Sequence, residues 1–387
     1  MVGRPLHAAV LPAGPQLIEL LSAALDGGPA LLPVEPRMPA PARERLLVAM
    51  RPATVISTAG AERRDGSVPV ADEVAVVVAT SGSSGRPKGV ELSAGALRHS
   101  AAATLRRVGA RPGDRWLCCL PTSHVGGLQV LVRSLLAGTD PVLVERFAPE
   151  AVAAAGVEHV AVVPTMLIRL LDAGVDLSRF RTLLVGGGRL TPELRARAVA
   201  AGGTVIGTYG LTETAGGCVY DGLPLDGVHV DLDPDGRIVL AGDVLARGYR
   251  LQPDATSESF VDGRLITHDV GRWGPDGRLE VLGRVDDVVV TGGVNVAAGE
   301  VADLLSTHPG VAQVAVTGRP DDEWGQRVVA VVVPRDRAAP PTLTELRRHV
   351  LATAPAALAP REVQIVAELP VLPSGKVDRL ALRALGR

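Results

Sequence analysis

The sequence is poor in cysteine, in aromatic residues and in long apolar runs. Its 387 residues include only three cysteines, and the adjacent pair Cys118 and Cys119 fits neither a disulfide framework nor a zinc site. No apolar run reaches the length of a membrane span. The first apolar stretch is interrupted by Pro12 and Pro15 and lacks a convincing signal-peptide cleavage site. We therefore expect a cytoplasmic protein with no membrane partner.

A charge excess of either sign is also missing. The formal net charge is −2, the sequence pI is about 6.5, and no basic block interrupts the chain. This balance gives no electrostatic reason to expect a nucleic-acid or anionic-membrane partner, so small molecules are the expected ligands. The length predicts two or three domains.

Lysine is almost absent. The 40 basic residues include only two lysines, Lys88 and Lys376, and both stand in glycine-containing loops. In an arginine-rich background, a retained lysine indicates a need for one compact ammonium group against a phosphate or carboxylate oxygen. Chance retention is the alternative.

The pattern of apolar residues predicts an α/β protein. From Val74 onward, β-branched runs alternate with helical patterns, which predicts βαβ units and a largely parallel sheet with helices on both faces. Ligands should gather beyond the carboxyl ends of its strands. Past residue 220, turn signals predict β-hairpins, and a smaller α+β unit with a helix around residues 298–307 follows residues 283–287. We predict a core domain over 1–284 and a second domain over 285–387.

The strongest local signal is the segment TSGSSGRPKG at residues 80–89, which follows a predicted strand and precedes a helix predicted to start near Ser93. Small residues let backbone N–H groups approach phosphate oxygens, hydroxyls add donors, and lysine adds charge. The spacing differs from that of a Walker A loop. A flexible serine-glycine loop is the alternative. The candidate phosphate-binding residues are Thr80, Ser81, Gly82, Ser83, Ser84, Gly85 and Lys88.

This segment resembles the hallmark loop of the adenylate-forming superfamily, which contains acyl-CoA synthetases, nonribosomal-peptide adenylation domains and luciferases. Further blocks follow in the family's order: LPTSHVGG at 120–127, GGG at 186–188, TYGLTET at 208–214, THD at 267–269, GRVDD at 283–287 and LPSGK at 372–376. The resemblance implies a large N-terminal domain of mixed, largely parallel sheets with flanking helices, and a small mobile α+β C-terminal domain. About 80 residues precede the loop, so an abbreviated N-terminal subdomain is expected relative to the family.

The resemblance also implies the reaction and the nucleotide site. A carboxylate attacks MgATP to form an acyl-adenylate, which is then transferred to a thiol such as that of coenzyme A. Glu213 with Thr212 would hold Mg²⁺ and contact the α-phosphate, Asp269 would accept the ribose hydroxyls, and Arg284 would contact ribose or phosphate. Residues implied around adenine are Gly186, Gly187, Gly188, Thr208, Tyr209 and Gly210. A capped helix start, a turn aspartate and a surface ion pair are the respective alternatives for Glu213, Asp269 and Arg284.

The remaining implied residues belong to the second domain. Lys376 matches the family lysine that reaches the substrate carboxylate and the α-phosphate during adenylation. Asp286 matches the hinge about which the small domain rotates before thiol transfer, and Gly292 and Gly293 would border the pantetheine channel.

The acid substrate depends on less specific signals. His124 stands where amino-acid-activating members usually carry an aspartate, and it matches acyl- and aryl-CoA ligases; a structural histidine is the alternative. The surrounding stretches are most similar to actinobacterial o-succinylbenzoate-CoA ligases of menaquinone biosynthesis. Arg133 and Arg169 lie in apolar helical stretches where a buried guanidinium would require an anion such as a second substrate carboxylate. Either arginine could instead reach solvent or pair with a protein carboxylate.

Other functions stay open from the sequence alone. They are a ligase for another aryl or acyl acid, an enzyme that loads a carrier protein, and a nucleotide-binding regulator without turnover. A homodimer is also allowed by the sequence.

Overall fold

The computed structural model describes residues 3–81, 87–371 and 377–385, and its description excludes the side chains of Ser81, Asp286 and Asn295. Its contacts divide the chain into two units. Unit 1 comprises residues 1–189, 198–230 and 239–266, and unit 2 comprises residues 190–197, 231–238 and 267–387. The predicted domain boundary between residues 284 and 285 is the position of a hinge, whereas these two units are defined by contacts between residues. The boundary therefore stays a prediction.

The helices are α1 (Pro15–Leu25), α2 (Ala40–Met50), α3 (Ala94–Arg107), α4 (Val125–Ala137), α5 (Pro149–Ala154), α6 (Pro164–Asp172), α7 (Pro192–Ala200), α8 (Pro253–Ser259), α9 (Ala298–Ser306), α10 (Leu343–Leu351) and α11 (Arg379–Ala384). Several starts are fixed by side chains. Ser93 accepts the Ala96 N–H at the start of α3, and Thr342 and Glu345 form a reciprocal capping box at the start of α10. Short 3-10 turns occupy Leu177–Arg179, Thr212–Thr214, Val285–Asp287 and Ala356–Leu358.

The strands are β1 (Leu6–Val10), β2 (Ala30–Pro33), β3 (Thr54–Ser57), β4 (Gly60–Arg63), β5 (Val74–Ser81), β6 (Pro87–Ser93), β7 (Trp116–Cys118), β8 (Val142–Leu143), β9 (His159–Val162), β10 (Thr182–Val185), β11 (Val205–Leu211), β12 (Gly216–Tyr220), β13 (Leu223–Pro224), β14 (Val228–Leu232), β15 (Arg237–Gly242), β16 (Gly248–Tyr249), β17 (Phe260–Val261), β18 (Arg264–Trp273), β19 (Leu279–Arg284), β20 (Val288–Thr291), β21 (Val294–Ala297), β22 (Val311–Asp321), β23 (Gly325–Pro334) and β24 (Glu362–Ile365).

Unit 1 is built on two sheets with helices between them. The first sheet has the order β16-β6-β5-β2-β1-β3-β4, and its centre is parallel, with antiparallel pairs at both ends. The second has the order β13-β12-β11-β10-β9-β7-β8, parallel from β11 to β8. Helix α3 contacts strands of both sheets and α4, while α4 contacts the second sheet. Because helices cover its faces, strands such as β9 and β10 are buried along their whole length.

A third sheet has the order β14-β15-β18-β17, with β19 paired to β18. Unit 2 also contains a fourth sheet of order β21-β20-β23-β22, on which β24 pairs with β23. The fourth sheet packs on α9 and α10 through a core that includes Val289, Val301, Leu305, Val332 and Leu346. The predicted fold class is confirmed, including the predicted hairpins and the helix near residues 298–307.

Candidate active site

Lys88 lies in a β-hairpin. Strands β5 and β6 pair antiparallel with Thr80 opposite Lys88, and the Thr80 hydroxyl lies 3.5 Å from the Lys88 carbonyl oxygen. The sequence predicts the loop between a strand and a helix, whereas the structure inserts β6 before α3, so Lys88 is held by a sheet. The candidates Gly82, Ser83, Ser84 and Gly85 lie outside the described residues, as does the side chain of Ser81.

Glu213 lies in the tight turn that joins β11 to β12. The Thr214 hydroxyl accepts the Leu211 N–H at 2.9 Å and donates to the Gly216 carbonyl at 2.7 Å, which fixes the turn on both sides. The Glu213 carbonyl accepts the Ala246 N–H at 2.7 Å. Its half-buried side chain is therefore carried by a rigid backbone, at the carboxyl end of a parallel strand as the sequence predicts.

A tyrosine that the sequence reasoning missed joins these two residues. The Tyr249 hydroxyl donates to Glu213 Oε1 at 2.8 Å, and Lys88 Nζ lies 4.6 Å from the centre of the Tyr249 ring. A cation at this distance from a ring face is attracted by its quadrupole. The sequence signal that could have pointed to Tyr249 is its rarity, because the chain contains only three tyrosines. Lys88 and Glu213, which are far apart in sequence, thus meet at one tyrosine in unit 1.

The residues implied around adenine lie on two neighbouring strands. Gly186 follows β10, and Thr208 lies on the parallel neighbour β11, where its hydroxyl is 3.5 Å from the Val185 carbonyl oxygen. A Cβ at Gly186 would overlap the Thr208 hydroxyl, so only glycine allows this approach. Tyr209 is half-buried, Gly187 has a positive φ of 72°, and a β-bulge falls between Tyr209 and Gly210. The structure therefore brings together Gly186, Gly187, Gly188, Thr208, Tyr209 and Gly210.

His124 immediately precedes α4 and is exposed. A Cβ on Gly127 would overlap the Pro121 carbonyl oxygen and lie 2.7 Å from that of Leu120. Glycine at this position therefore allows the first turn of α4 to pack on the loop after β7. That loop holds His124 at the carboxyl end of the second sheet, where ligands of such sheets bind.

The two candidate substrate arginines differ in environment. Arg133 is 5% exposed, its guanidinium carbon lies 4.3 Å from the Trp116 ring centre, and its Nε has no hydrogen-bond partner in the described part of the chain. Burial lowers the pKa of Arg133, and nearby Tyr220 and Cys118 oppose this shift. At 1.5 Å per residue, Arg133 lies about 12 Å along α4 from its first residue. Since Trp116 begins β7, Arg133 lies toward the amino end of that strand, whereas His124 follows its carboxyl end.

Arg169 is exposed, as the sequence analysis allowed. Its guanidinium carbon lies 4.9 Å from the Phe147 ring centre. It lies on α6, which begins at Pro164 directly after β9. A Cβ on Gly188 would lie 3.3 Å from Pro164, so α6 starts beside the glycine turn.

In unit 2, Asp269 and Arg284 face each other on paired strands. Asp269 lies within β18, which continues to Trp273. Asp269 is 6% exposed, its N–H donates to the Thr267 hydroxyl at 3.0 Å, and its Oδ1 lies 4.0 Å from Arg284 Nη1. A carboxylate and a guanidinium predicted to contact ribose or phosphate are therefore neighbours.

Gly292 and Gly293 form the turn between β20 and β21 with φ of 58° and 79°, which glycine adopts without a steric penalty. The Gly292 N–H donates to the Trp324 carbonyl at 2.9 Å. The hinge candidate Asp286 lies in the turn Val285–Asp287, but its side chain is outside the description, and Lys376 is outside the described residues.

Comparison with known proteins identifies the family. Residues 58–249 match the family described as AMP-binding enzyme, and residues 300–376 match the AMP-binding enzyme C-terminal domain. A probable 2-succinylbenzoate–CoA ligase of Mycobacterium tuberculosis is 42% identical over 362 residues, which cover 88% of this chain and 93% of the relative. The chain belongs to the AMP-binding, adenylate-forming enzymes. This membership confirms the expected superfamily and the expected class of AMP-forming ligases.

Solved structures of AMP-binding enzymes share the fold over nearly the whole chain. The o-succinylbenzoate CoA synthetase of Bacillus subtilis, in complex with its acyl-adenylate intermediate, is 25% identical with a TM-score of 0.84, covering 99% of this chain and 89% of that one. The same enzyme in complex with ATP and magnesium ion matches with 25% identity and a TM-score of 0.83, covering 99% and 90%. ATP and Mg²⁺ are two of the three ligands that the resemblance implies, and the third is the co-substrate coenzyme A.

The described residues of this AMP-binding enzyme fit a magnesium–nucleotide ligand. Glu213 Oε1 accepts the Tyr249 hydroxyl, and no described residue donates to Oε2. No cluster of three or more His, Cys, Asp or Glu side chains suited to a metal occurs within the described ranges. Magnesium is commonly held by one or two carboxylates together with substrate phosphates, so a single carboxylate near a lysine suits it.

Within the described ranges, no helix combines the length and apolar character needed to cross a membrane.

Proposed function

We propose that this AMP-binding enzyme is a 2-succinylbenzoate–CoA ligase of menaquinone biosynthesis. A substrate carboxylate oxygen attacks the α-phosphorus of ATP, the bond from that phosphorus to the β-phosphate oxygen breaks, and pyrophosphate leaves. The coenzyme A sulfur then attacks the acyl carbon, loses its proton, and expels AMP. Positioning and charge stabilisation supply most of the acceleration in reactions of this type.

The observation that carries the proposal is the convergence of Lys88 and Glu213 on Tyr249. A lysine suited to phosphate oxygens and a carboxylate suited to Mg²⁺ meet in a chain otherwise nearly free of lysine. The relative of Mycobacterium tuberculosis, covered over 93% of its length, supports 2-succinylbenzoate as the acid and coenzyme A as the acceptor.

We assign the roles of the remaining site residues from the sequence motifs. In this proposal the phosphates bind residues 80–85 with Lys88, Thr212 assists Glu213 at the α-phosphate, and the adenine lies against Tyr209 and the glycine turn at 186–188. Asp269 and Arg284 hold the ribose, and their pairing on β18 and β19 supports that assignment. Lys376 acts at the α-phosphate and the acid carboxylate, Asp286 acts as the hinge, and Gly292 and Gly293 border the pantetheine.

The acid lies near His124, and its aromatic carboxylate binds a cation. The geometry supports Arg169 more than Arg133 for this contact, because α6 begins beside Gly188, whereas Arg133 is buried near the amino end of β7. An exposed guanidinium can meet a ligand without repacking the core.

A panel of acids tests the substrate. The measurement is kcat/KM in a coenzyme A-dependent assay with 2-succinylbenzoate, benzoate and a medium-chain fatty acid. A partner built for the second carboxylate is left unpaired by benzoate, so we expect 2-succinylbenzoate to be preferred by at least about 100-fold. Arg169→Met should remove most of that preference, and Arg133→Met is the control. Equal or better turnover of benzoate or the fatty acid would overturn the substrate and leave the adenylation chemistry standing.

Two alternatives to this function can be tested separately. A carrier protein replaces coenzyme A as acceptor only if a phosphopantetheinyl carrier is acylated faster than coenzyme A at equal concentration. A regulator without turnover requires that acid-dependent ATP–pyrophosphate exchange be absent. We also propose a cytoplasmic location and a homodimer, which cell fractionation and light scattering test.

A further inference from the structure

Tyr249 is held by contacts that do not depend on ligand. Its backbone N–H donates to the Thr256 hydroxyl at 2.9 Å, and strand β16 pairs with β6, with Tyr249 opposite Val90. Its ring meets that of Phe260 edge-on at 5.8 Å between centres, and the residue is 9% exposed. The ring is therefore fixed in the same sheet that carries Lys88.

The next residue anchors the segment further. Arg250 is 2% exposed, its Nε donates to the Met50 carbonyl at 2.7 Å, and its other nitrogens contact the carbonyls of Val68 and Pro69 and the carboxylate of Glu91. A buried guanidinium with this many partners resists movement. The Gln252 side chain donates to the Pro87 carbonyl at 3.2 Å, so residues 246–252 are tied both to the start of β6 and to Glu213.

Tyr249 also separates two opposite charges. An ammonium and a carboxylate in a half-buried site attract each other strongly, and a direct pair would compete with phosphate for the lysine and with metal for the carboxylate. No ion pair joins Lys88 to Glu213 in the part of the chain described. The ring face instead contacts the ammonium, and the hydroxyl donates to one carboxylate oxygen.

We propose that Tyr249 is a positioning residue that holds Glu213 with Oε2 available to Mg²⁺ and keeps Lys88 from pairing with that carboxylate. The proposal rests on the proposed function only in taking MgATP as the ligand. The hydroxyl and the ring face have separable tasks, since the hydroxyl donates to the Glu213 carboxylate and the ring face contacts the Lys88 ammonium.

Equilibrium binding of MgATP, measured by titration calorimetry over a range of Mg²⁺ concentrations, tests the inference without requiring turnover. Tyr249→Phe keeps the ring and removes the hydroxyl, so we expect the Mg²⁺ concentration for half-maximal binding to rise about 10-fold, because a hydrogen bond to a charged group is lost. Tyr249→Leu also removes the ring face, so we expect ATP to bind more weakly even at saturating Mg²⁺.

The matched control is Tyr220→Phe, which makes the same change at a buried tyrosine whose hydroxyl lies 2.9 Å from the Thr104 hydroxyl. On a Glu213→Gln background, Tyr249→Phe should add no further shift, because the hydroxyl acts through the carboxylate. Thermal unfolding checks that the variants fold. The proposal is overturned if Tyr249→Phe shifts the Mg²⁺ dependence no more than Tyr220→Phe, or if its effect is additive with Glu213→Gln. Normal MgATP binding without acid-dependent turnover would instead reject the proposed function.

Discussion

Nearly half of the aromatic rings in the described part of this chain lie beside cations. Within the described ranges, four of the nine Trp, Tyr and Phe rings lie beside a Lys or Arg group: Tyr249 with Lys88, Trp116 with Arg133, Phe147 with Arg169, and Trp324 with Arg361. Aliphatic side chains fill most of the core. A ring lets a guanidinium or ammonium be held with no carboxylate, which leaves its charge available.

Methionine in place of Arg133 and methionine in place of Arg250 should have opposite effects on the free energy of unfolding. Both arginines are buried, but Arg250 has several hydrogen-bond partners, whereas Arg133 Nε has none in the described part of the chain. Replacing a buried guanidinium that lacks a carboxylate partner removes its desolvation penalty, whereas removing one partner of a buried ion pair costs about 3–5 kcal/mol. In urea unfolding, Arg133→Met should therefore keep or raise the free energy of unfolding, and Arg250→Met should lower it. The reverse order would show that Arg133 has a fixed anionic partner.

Much of the site could be predicted at the level of residues. Lys88 and Glu213 stood out by rarity and by motif, and the structure brings them together. Rarity could have marked Tyr249, but its contacts with Lys88 and Glu213 could not be predicted, because they depend on the antiparallel pairing of β16 with β6, which joins residues far apart in sequence. Tertiary pairing of that kind leaves no local periodic signal.

Among the elements, the turn from β11 to β12 controls the position of Glu213. A Cβ on Gly210 would overlap the Gly216 carbonyl oxygen, and no side chain can move to relieve a clash with backbone. We expect Gly210→Ala to displace the turn and to lower acid-dependent ATP–pyrophosphate exchange at least about 100-fold, because small misplacement of catalytic groups is costly.

The control is Gly95→Ala in the first turn of α3, where the added Cβ would meet only the Ser93 hydroxyl at 3.6 Å. Alanine is favoured over glycine in helices by about 0.5–1 kcal/mol, so this variant should be stabilised with unchanged exchange. Full activity in Gly210→Ala would show that the turn tolerates displacement.

Elements with strong local signals were predicted well, and those fixed by tertiary contacts were not. The capped helices α3 and α10 and the hairpin β18–β19 follow from their sequences. Strand β6 was missed because Pro87, Lys88 and Gly89 have low strand propensity. It is paired on both sides, with β5 and β16, and a Cβ at Gly89 would clash with Met50 and Val77. The strands β1 to β4 were also missed, since each is only four or five residues long.

At the scale of the whole molecule, the motifs predict that the two half-reactions depend on different residues of unit 2. Lys376→Ala should abolish adenylation but largely spare thioester formation from a presynthesised acyl-adenylate, because the lysine is expected to leave the site when the small domain rotates. Rapid-quench assays of each half-reaction measure this. Equal loss of both would contradict the assignment of the lysine.

The hinge variant should give the complementary result. Asp286→Pro restricts backbone rotation at the predicted hinge, so we expect pyrophosphate release to persist while thioester formation slows. Asp322→Pro, in an exposed part of unit 2 away from the predicted hinge, is a control for a general effect of proline. Unchanged thioester formation in Asp286→Pro would show that the hinge lies elsewhere.

The central claim is that the substrate carboxylate attacks the α-phosphorus of ATP. Carboxyl-¹⁸O-labelled 2-succinylbenzoate, turned over with ATP and coenzyme A, tests it directly by mass spectrometry of the nucleotide. Attack at the α-phosphorus followed by cleavage of the acyl carbon–oxygen bond transfers one labelled oxygen to AMP, so AMP should gain one ¹⁸O per turnover. Label in orthophosphate with ADP as the nucleotide product would contradict the account, because it would mean attack at the γ-phosphorus.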